Sequence, residues 1–229
     1  NDLPTLYSKT VVTDEDGRYV IPDLPTAQYD IWVRGYGLVD SPKLNAAPGQ
    51  SLDLNAVIAP DAAAAAAYYP AGNWYSLLEI PAKSEFPGTG PDGNGISPNI
   101  HNQADFIRRV TSGGCGACHQ LGNAAIRNIP NLFSGYDTST GAWDRRVRSG
   151  QAGGSMIGSL AGMGGQRALE MYADWTDRIA AGELPPVPQR PAGLERNVVI
   201  TQWDWADPTA YLHDIVATDR RDPTVNGYG

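Results

Sequence analysis

The sequence predicts an α+β multidomain chain: a small β-sandwich, then an all-α domain, then an extended C-terminal tail. Three observations predict this. Short β-branched runs between turn residues fill the first sixty positions, the pattern of a sheet-rich domain. Between 99 and 185, apolar residues recur at three- and four-residue steps, with capping and glycine signals at the ends. From Pro186 the chain turns proline-rich and polar. The expected boundaries are 1–60, a connection over 61–98, the helical domain over 99–185, and a linker and tail over 186–229.

The β-rich part opens with Thr10-Val11-Val12-Thr13, and Asp14-Glu15-Asp16-Gly17 turns the chain. Tyr19-Val20-Ile21 resumes a strand, and Pro22-Asp23-Leu24-Pro25 breaks it. Tyr29 to Arg34 and Ser51 to Val57 alternate apolar and polar, as half-buried strands do. In the connection, Ala62–Ala67 favours a short helix. Tyr68, Tyr69, Trp74 and Tyr75, followed by the glycine-rich 88–95, read as a strap over a neighbouring surface. A carbohydrate-binding aromatic platform is the alternative. In the helical part, Asn102 caps a helix over Gln103–Val110, with Phe106, Ile107 and Val110 on one face. Gly164-Gly165 opens a second helix, Gln166 to Ala181, with Leu169, Tyr172, Thr176 and Ile179 recurring along it and Trp175 beside them. Val198 to Thr201 is a late strand candidate.

Between those helices lies Cys115-Gly116-Ala117-Cys118-His119, which reads C-x-x-C-H, the attachment signature of a covalent c-type haem. Two thiols at this spacing form thioethers with the two haem vinyl groups, and the adjacent histidine becomes the proximal iron ligand. These are the only cysteines in the chain, so neither a structural disulfide elsewhere nor a four-thiolate zinc site competes for them. A redox C-x-x-C pair is the alternative. One covalent haem c is therefore expected, in an oxidising compartment: the periplasm or the extracellular space. No signal peptide is visible, so one is expected to have been removed.

Three resemblances follow from these residues. The string T-D-E-D-G-R-Y-V-I-P-D-L-P from Thr13 to Pro25, with Tyr29 and Val33-Arg34-Gly35-Tyr36-Gly37 after it, resembles the Ig-like sandwich of the carboxypeptidase regulatory-like domain. That family places one or two strands ahead of this string, and about a dozen residues precede it here. The sheet is thus expected to lack a strand or two at its start, leaving an open edge. The resemblance implies a scaffold or binding module without chemistry, and the chain has no H-E-x-x-H zinc pattern. The order of first helix, C-x-x-C-H and last helix resembles a class I cytochrome c. Pro130, eleven residues after His119, matches the proline whose carbonyl accepts the imidazole Nδ1–H in that family. The order sandwich, haem domain and Trp203-Asp204-Trp205 tail resembles the front of secreted bacterial proteins that continue into a streptogramin-lyase-like β-propeller.

The distal iron ligand has five candidates: Met156, Met163, Met171, His101 and His213. In class I cytochromes the ligand methionine sits in a loop sixteen to twenty residues before the aromatic of the last helix. Met156, expected in a loop with Gly153-Gly154-Ser155, precedes Tyr172 by sixteen and Trp175 by nineteen; it is the choice, and Met163 the runner-up. Met171 reads as core. His101 precedes the first helix, and His213 lies beyond the domain beside Asp214.

The function expected is one-electron transfer by a monohaem c-type cytochrome, with a redox protein as partner, either another subunit or a downstream domain. The alternatives are a haem relay within a larger oxidoreductase, and a haem enzyme or gas sensor with an open distal site. The latter needs a distal His or Arg, and nothing in the sequence aims Arg127, Arg145, Arg146 or Arg148 there. A charge of −8 with three lysines argues against nucleic acid. No apolar run reaches membrane-spanning length.

Overall fold

A computed structural model describes Leu3, residues 7–133 and residues 135–203. The tail expectations from Asp204 on, His213 included, fall outside the described residues. Helices and small sheets are both present, so the chain is an α+β protein. The described residues divide into two compact units: those up to Tyr69 with Val187–Trp203, and Pro70–Pro186. No helix among the described residues is long and apolar enough to cross a membrane.

Among the described residues the β-rich unit holds six short strands: β1 (Tyr7–Thr10), β2 (Tyr29–Ile31), β3 (Leu38–Val39), β4 (Leu44–Ala46), β5 (Val57–Ile58) and β6 (Ile200–Trp203). They pair antiparallel as three two-stranded ladders, β1–β6, β2–β4 and β3–β5. β1 thus takes its partner from the far end of the described chain, in the register Tyr7↔Trp203 to Thr10↔Ile200. The late strand candidate begins two residues after its expected start, at Ile200. The Asp14–Gly17 turn forms as expected: the Asp14 carboxylate accepts from the N–H groups of Asp16 and Arg18 at 2.9 and 2.8 Å. Tyr19–Ile21 is not a strand. Val20 is 78% exposed, and the Tyr19 hydroxyl instead ties this extended loop to the Leu52 carbonyl at 2.9 Å. Only Val57 of the Ser51–Val57 run enters a ladder. Helix α1 (Ala62–Ala66) follows, capped by the Asp61 carboxylate, which accepts from Ala64 N–H.

The helical unit contains α2 (Ala71–Tyr75), α3 (Gln103–Val110), α4 (Cys115–Cys118), α5 (Ala124–Arg127), α6 (Ser139–Val147), α7 (Gly153–Met163) and α8 (Gln166–Ala180). The stretch expected as a connection is divided: α1 lies with the strands, and from Pro70 the chain packs in the helical unit, where Leu78, Ile96 and Ile100 are core residues. α3 starts where its cap signal says, with the Asn102 side chain accepting from Asp105 N–H. Phe106 and Val110, four residues apart, are fully buried. Ile107 departs from the expected face and is 36% exposed, because one residue turns the helix by 100° away from the Phe106 row. α8 buries Leu169, Tyr172, Trp175 and Thr176. Each large side chain of this kind contributes roughly 1.5–3 kcal/mol by leaving water. The Trp175 indole also donates to the Trp74 carbonyl at 3.1 Å, and the Trp143 indole donates to Thr176 Oγ1 at 3.1 Å. These two bonds fasten α2 and α6 to α8.

Met156, expected in a loop with Gly153-Gly154-Ser155, lies with them in helix α7 (Gly153–Met163) instead. Its four glycines lower helix propensity, but Leu160 and Met163 are buried in the core and hold the segment helical. Gly164, with φ of 118°, ends α7. A Cβ there would lie 2.1 Å from the Gly95 carbonyl oxygen, so the junction between α7 and α8 admits only glycine.

Candidate haem-attachment site

The C-x-x-C-H run forms one helical turn, α4, with His119 as its C-cap. The His119 N–H donates to the Cys115 carbonyl at 2.9 Å and closes the turn. Cys115 is part-buried and Cys118 exposed, and both thiols are free. A Cβ on Gly116 would meet the Thr111 carbonyl oxygen at 2.5 Å. Gly116 thus lets the turn lie directly on the end of α3. Burial pushes the Cys115 thiol up and weakens it as an acid.

His119 lines an open groove of about 370 Å³ together with Tyr75, Thr111, Ser112, Gly116 and Leu121. Burial, and then the positive charge of Arg146, push the His119 imidazole below its ordinary value. The ring is therefore neutral at neutral pH, which is the form that binds a metal.

Arg146, on α6, is mostly buried. It donates to the Ile126 and Asn128 carbonyls at 3.0 Å each and to the Ala125 carbonyl. Its guanidinium lies 4.9 Å from the Trp143 ring centroid. Arg127 lies over the Trp74 ring at 4.1 Å and donates to the Gly122 carbonyl at 2.8 Å. The segment that follows His119 is thus held by two cations whose described partners are carbonyls and aromatic faces.

Tyr172 stacks on Trp143, with centroids 5.1 Å apart. Its hydroxyl is the one buried side-chain polar atom among the described residues without a hydrogen-bond partner. Burial raises its phenol well above the ordinary value, and Cys115 is the next strongest influence. An unsatisfied hydroxyl at this depth costs about 1–3 kcal/mol.

Pro130 follows α5, and its carbonyl accepts from Phe133 N–H at 2.8 Å. That bond uses one of the two lone pairs of the oxygen. Met156 is part-buried on α7, packed against the same core as Cys115, Leu121 and Ile126. It does not line the His119 groove. One turn along α7, the Ser159 Cβ lies 3.6 Å from where a Gly114 Cβ would stand, so this helix passes beside the start of α4. Met163 and Met171 are buried core residues. His101 is exposed ahead of α3, in a separate groove with Lys83, Phe86 and Ile107.

The residues suit a covalently held haem: two free thiols one helical turn apart, a neutral imidazole in a groove, and the buried Tyr172 hydroxyl beside the part-buried Cys115 thiol. Tyr75, Thr111, Arg146 and Tyr172 are members of this neighbourhood that sequence reasoning did not place there. Only the i, i+3 spacing of Trp143 and Arg146 hinted at a stacked cation. A scan against protein-family models, a search of curated proteins and a search of solved structures each returned no match.

Proposed function

We propose that this chain is a monohaem c-type cytochrome of the class I kind that transfers single electrons in the periplasm or outside the cell. The observation that carries the reading is the complete C-x-x-C-H run, set as one turn with His119 opening on a groove. On this reading Cys115 and Cys118 hold the haem through two thioethers, and His119 is the proximal ligand. Met156 is the distal ligand, and Pro130 accepts from the imidazole. Bound haem c supplies an iron that accepts and releases one electron.

The residues of the chain supply the setting. Burial and Arg146 keep His119 neutral and ready to coordinate. Helices α3, α6 and α8 bury Phe106, Trp143 and Trp175 and exclude water from the interior. The β-rich unit serves as a scaffold of the carboxypeptidase regulatory-like sandwich type. It presents a docking face to a redox protein, another subunit or a downstream domain.

The test is the visible spectrum of chain produced in a periplasm that attaches haem c. It is recorded after dithionite reduction, before and after carbon monoxide. Haem bands unmoved by carbon monoxide are expected, since a filled distal position excludes the gas. A shifted Soret band would turn the reading toward an open-site haem enzyme or sensor. A spectrum without haem bands would remove it.

A further inference from the structure

Among the described residues, Arg146 forms no ion pair, although it is mostly buried. Its neighbours on α6 differ. Arg148 forms two bonds to Asp144, at 2.8 Å each, and Arg145 bonds Ser149. Burying a cation without a carboxylate is costly unless dipoles replace water. Here three backbone carbonyls and the Trp143 face do so. All three carbonyls belong to 125–128, the segment between His119 and Pro130. Burial lowers the guanidinium pKa to about 10, so the side chain stays charged at neutral pH.

We infer that Arg146 is a positioning residue that fixes the 125–128 carbonyls and holds a positive charge against the Trp143–Tyr172 stack, raising the reduction potential of the site. The inference rests on the haem reading and deepens it. Carbonyl dipoles soften a buried charge without cancelling it, as a carboxylate would. Iron loses one unit of positive charge on reduction, so a nearby fixed cation favours the reduced state. Water screens a part-buried charge less than a surface one. A purely structural clamp, by contrast, would leave the potential to the axial ligands and burial alone.

The test is the midpoint potential of holoprotein by spectroelectrochemistry, for wild type, Arg146→Gln and Arg146→Lys. Arg146→Gln is expected to lower the reduced-to-oxidised ratio at a fixed applied potential by about tenfold, equal to 59 mV for a one-electron couple. Arg146→Lys keeps the charge and is expected to recover most of that shift. An Arg146→Gln protein with wild-type haem bands and an unmoved potential overturns the inference. So does Arg146→Lys falling as far as Arg146→Gln, which would assign the effect to the fork geometry. If Arg146→Gln yields no folded protein, Asn128→Asp replaces it. This adds a carboxylate at a residue whose carbonyl Arg146 already holds. A lowered potential supports the inference, and an unmoved one overturns it. Absence of haem bands in the wild type overturns the underlying reading as well. Failure of this inference alone leaves those bands intact.

Discussion

Gly116→Ala tests the packing of the attachment turn directly. The added Cβ would stand 2.5 Å from the Thr111 carbonyl oxygen, 2.9 Å from its Cα and 3.0 Å from its carbonyl carbon. Comfortable non-bonded contacts lie near ~3.5–4.0 Å, so the turn and the end of α3 must separate by about 1 Å. Thr111 has little freedom to give way, because its N–H and hydroxyl both donate to the Ile107 carbonyl, at 2.9 and 2.8 Å. Overpacking of this kind costs about 1–3 kcal/mol. The better helix propensity of alanine returns at most about 1 kcal/mol, which leaves a net loss of about 1–2 kcal/mol. The assay is urea unfolding of the full chain, with hydrogen exchange read at the amides of α3 and α8. Ala117→Ser, at the exposed neighbouring position, is the control and should move stability by no more than about 0.5 kcal/mol. An unchanged midpoint and unchanged exchange in Gly116→Ala would refute the claim that this glycine is required by contact with α3.

Four other substitutions separate roles read in the structure or proposed for particular side chains. Met156→Ala should leave haem attachment intact and let carbon monoxide bind. Met163→Ala, which empties a fully buried core position, should instead cost about 2–5 kcal/mol of stability without opening the iron; a carbon monoxide titration with a parallel melt tells them apart. Trp175→Phe should cost about 1–3 kcal/mol, because the buried Trp74 carbonyl loses the indole donor that it has at 3.1 Å. Calorimetry checks this, and a shift within error would sink it. Arg34 grips Asp40 with two bonds of 2.7 Å and holds that carboxyl below its ordinary 3.8. The folded pKa being the lower one, the contribution is fully present above 3.8 and fades as pH falls through the folded value. Half-exposed as the pair is, Asp40→Asn should remove no more than about 1 kcal/mol at neutral pH. It should also flatten the acid limb of the melting curve of the β-rich unit.

Local signals made α3 and α8 legible. Asn102 offered a cap, Gly164-Gly165 a stop and a start, and the apolar residues of each helix fell on a helical period. The Cys115–His119 run stood out as a motif, and the structure sets it as one helical turn. Helix α7 was not, because its glycines argue for a loop, and burial of Leu160 and Met163 overrides them. Tyr19–Ile21 erred in the other direction: β-branched residues favour strands only where a partner and a buried face exist, and Val20 has a face in water. Arg146 carried no sign beyond its i, i+3 spacing to Trp143. Its role depends on three carbonyls some twenty residues upstream that the fold brings to it. The β1–β6 ladder was beyond any local rule, since sequence patterns do not say which distant strand an edge will take.

That ladder sets an order of events during synthesis. The Ser8 hydroxyl meets Gln202 across 194 positions, and all of Pro70–Pro186 is made between them. A chain emerging at roughly 5–20 residues per second leaves β1 without its partner for about 10–40 s. The helical unit has its whole sequence available within that interval and can finish first. The β-rich unit closes its β1–β6 ladder only after the helical unit has been made. During the wait, its first strand presents open backbone donors and acceptors to other nascent copies. The interval before β6 arrives is therefore when a chaperone has the most to shield.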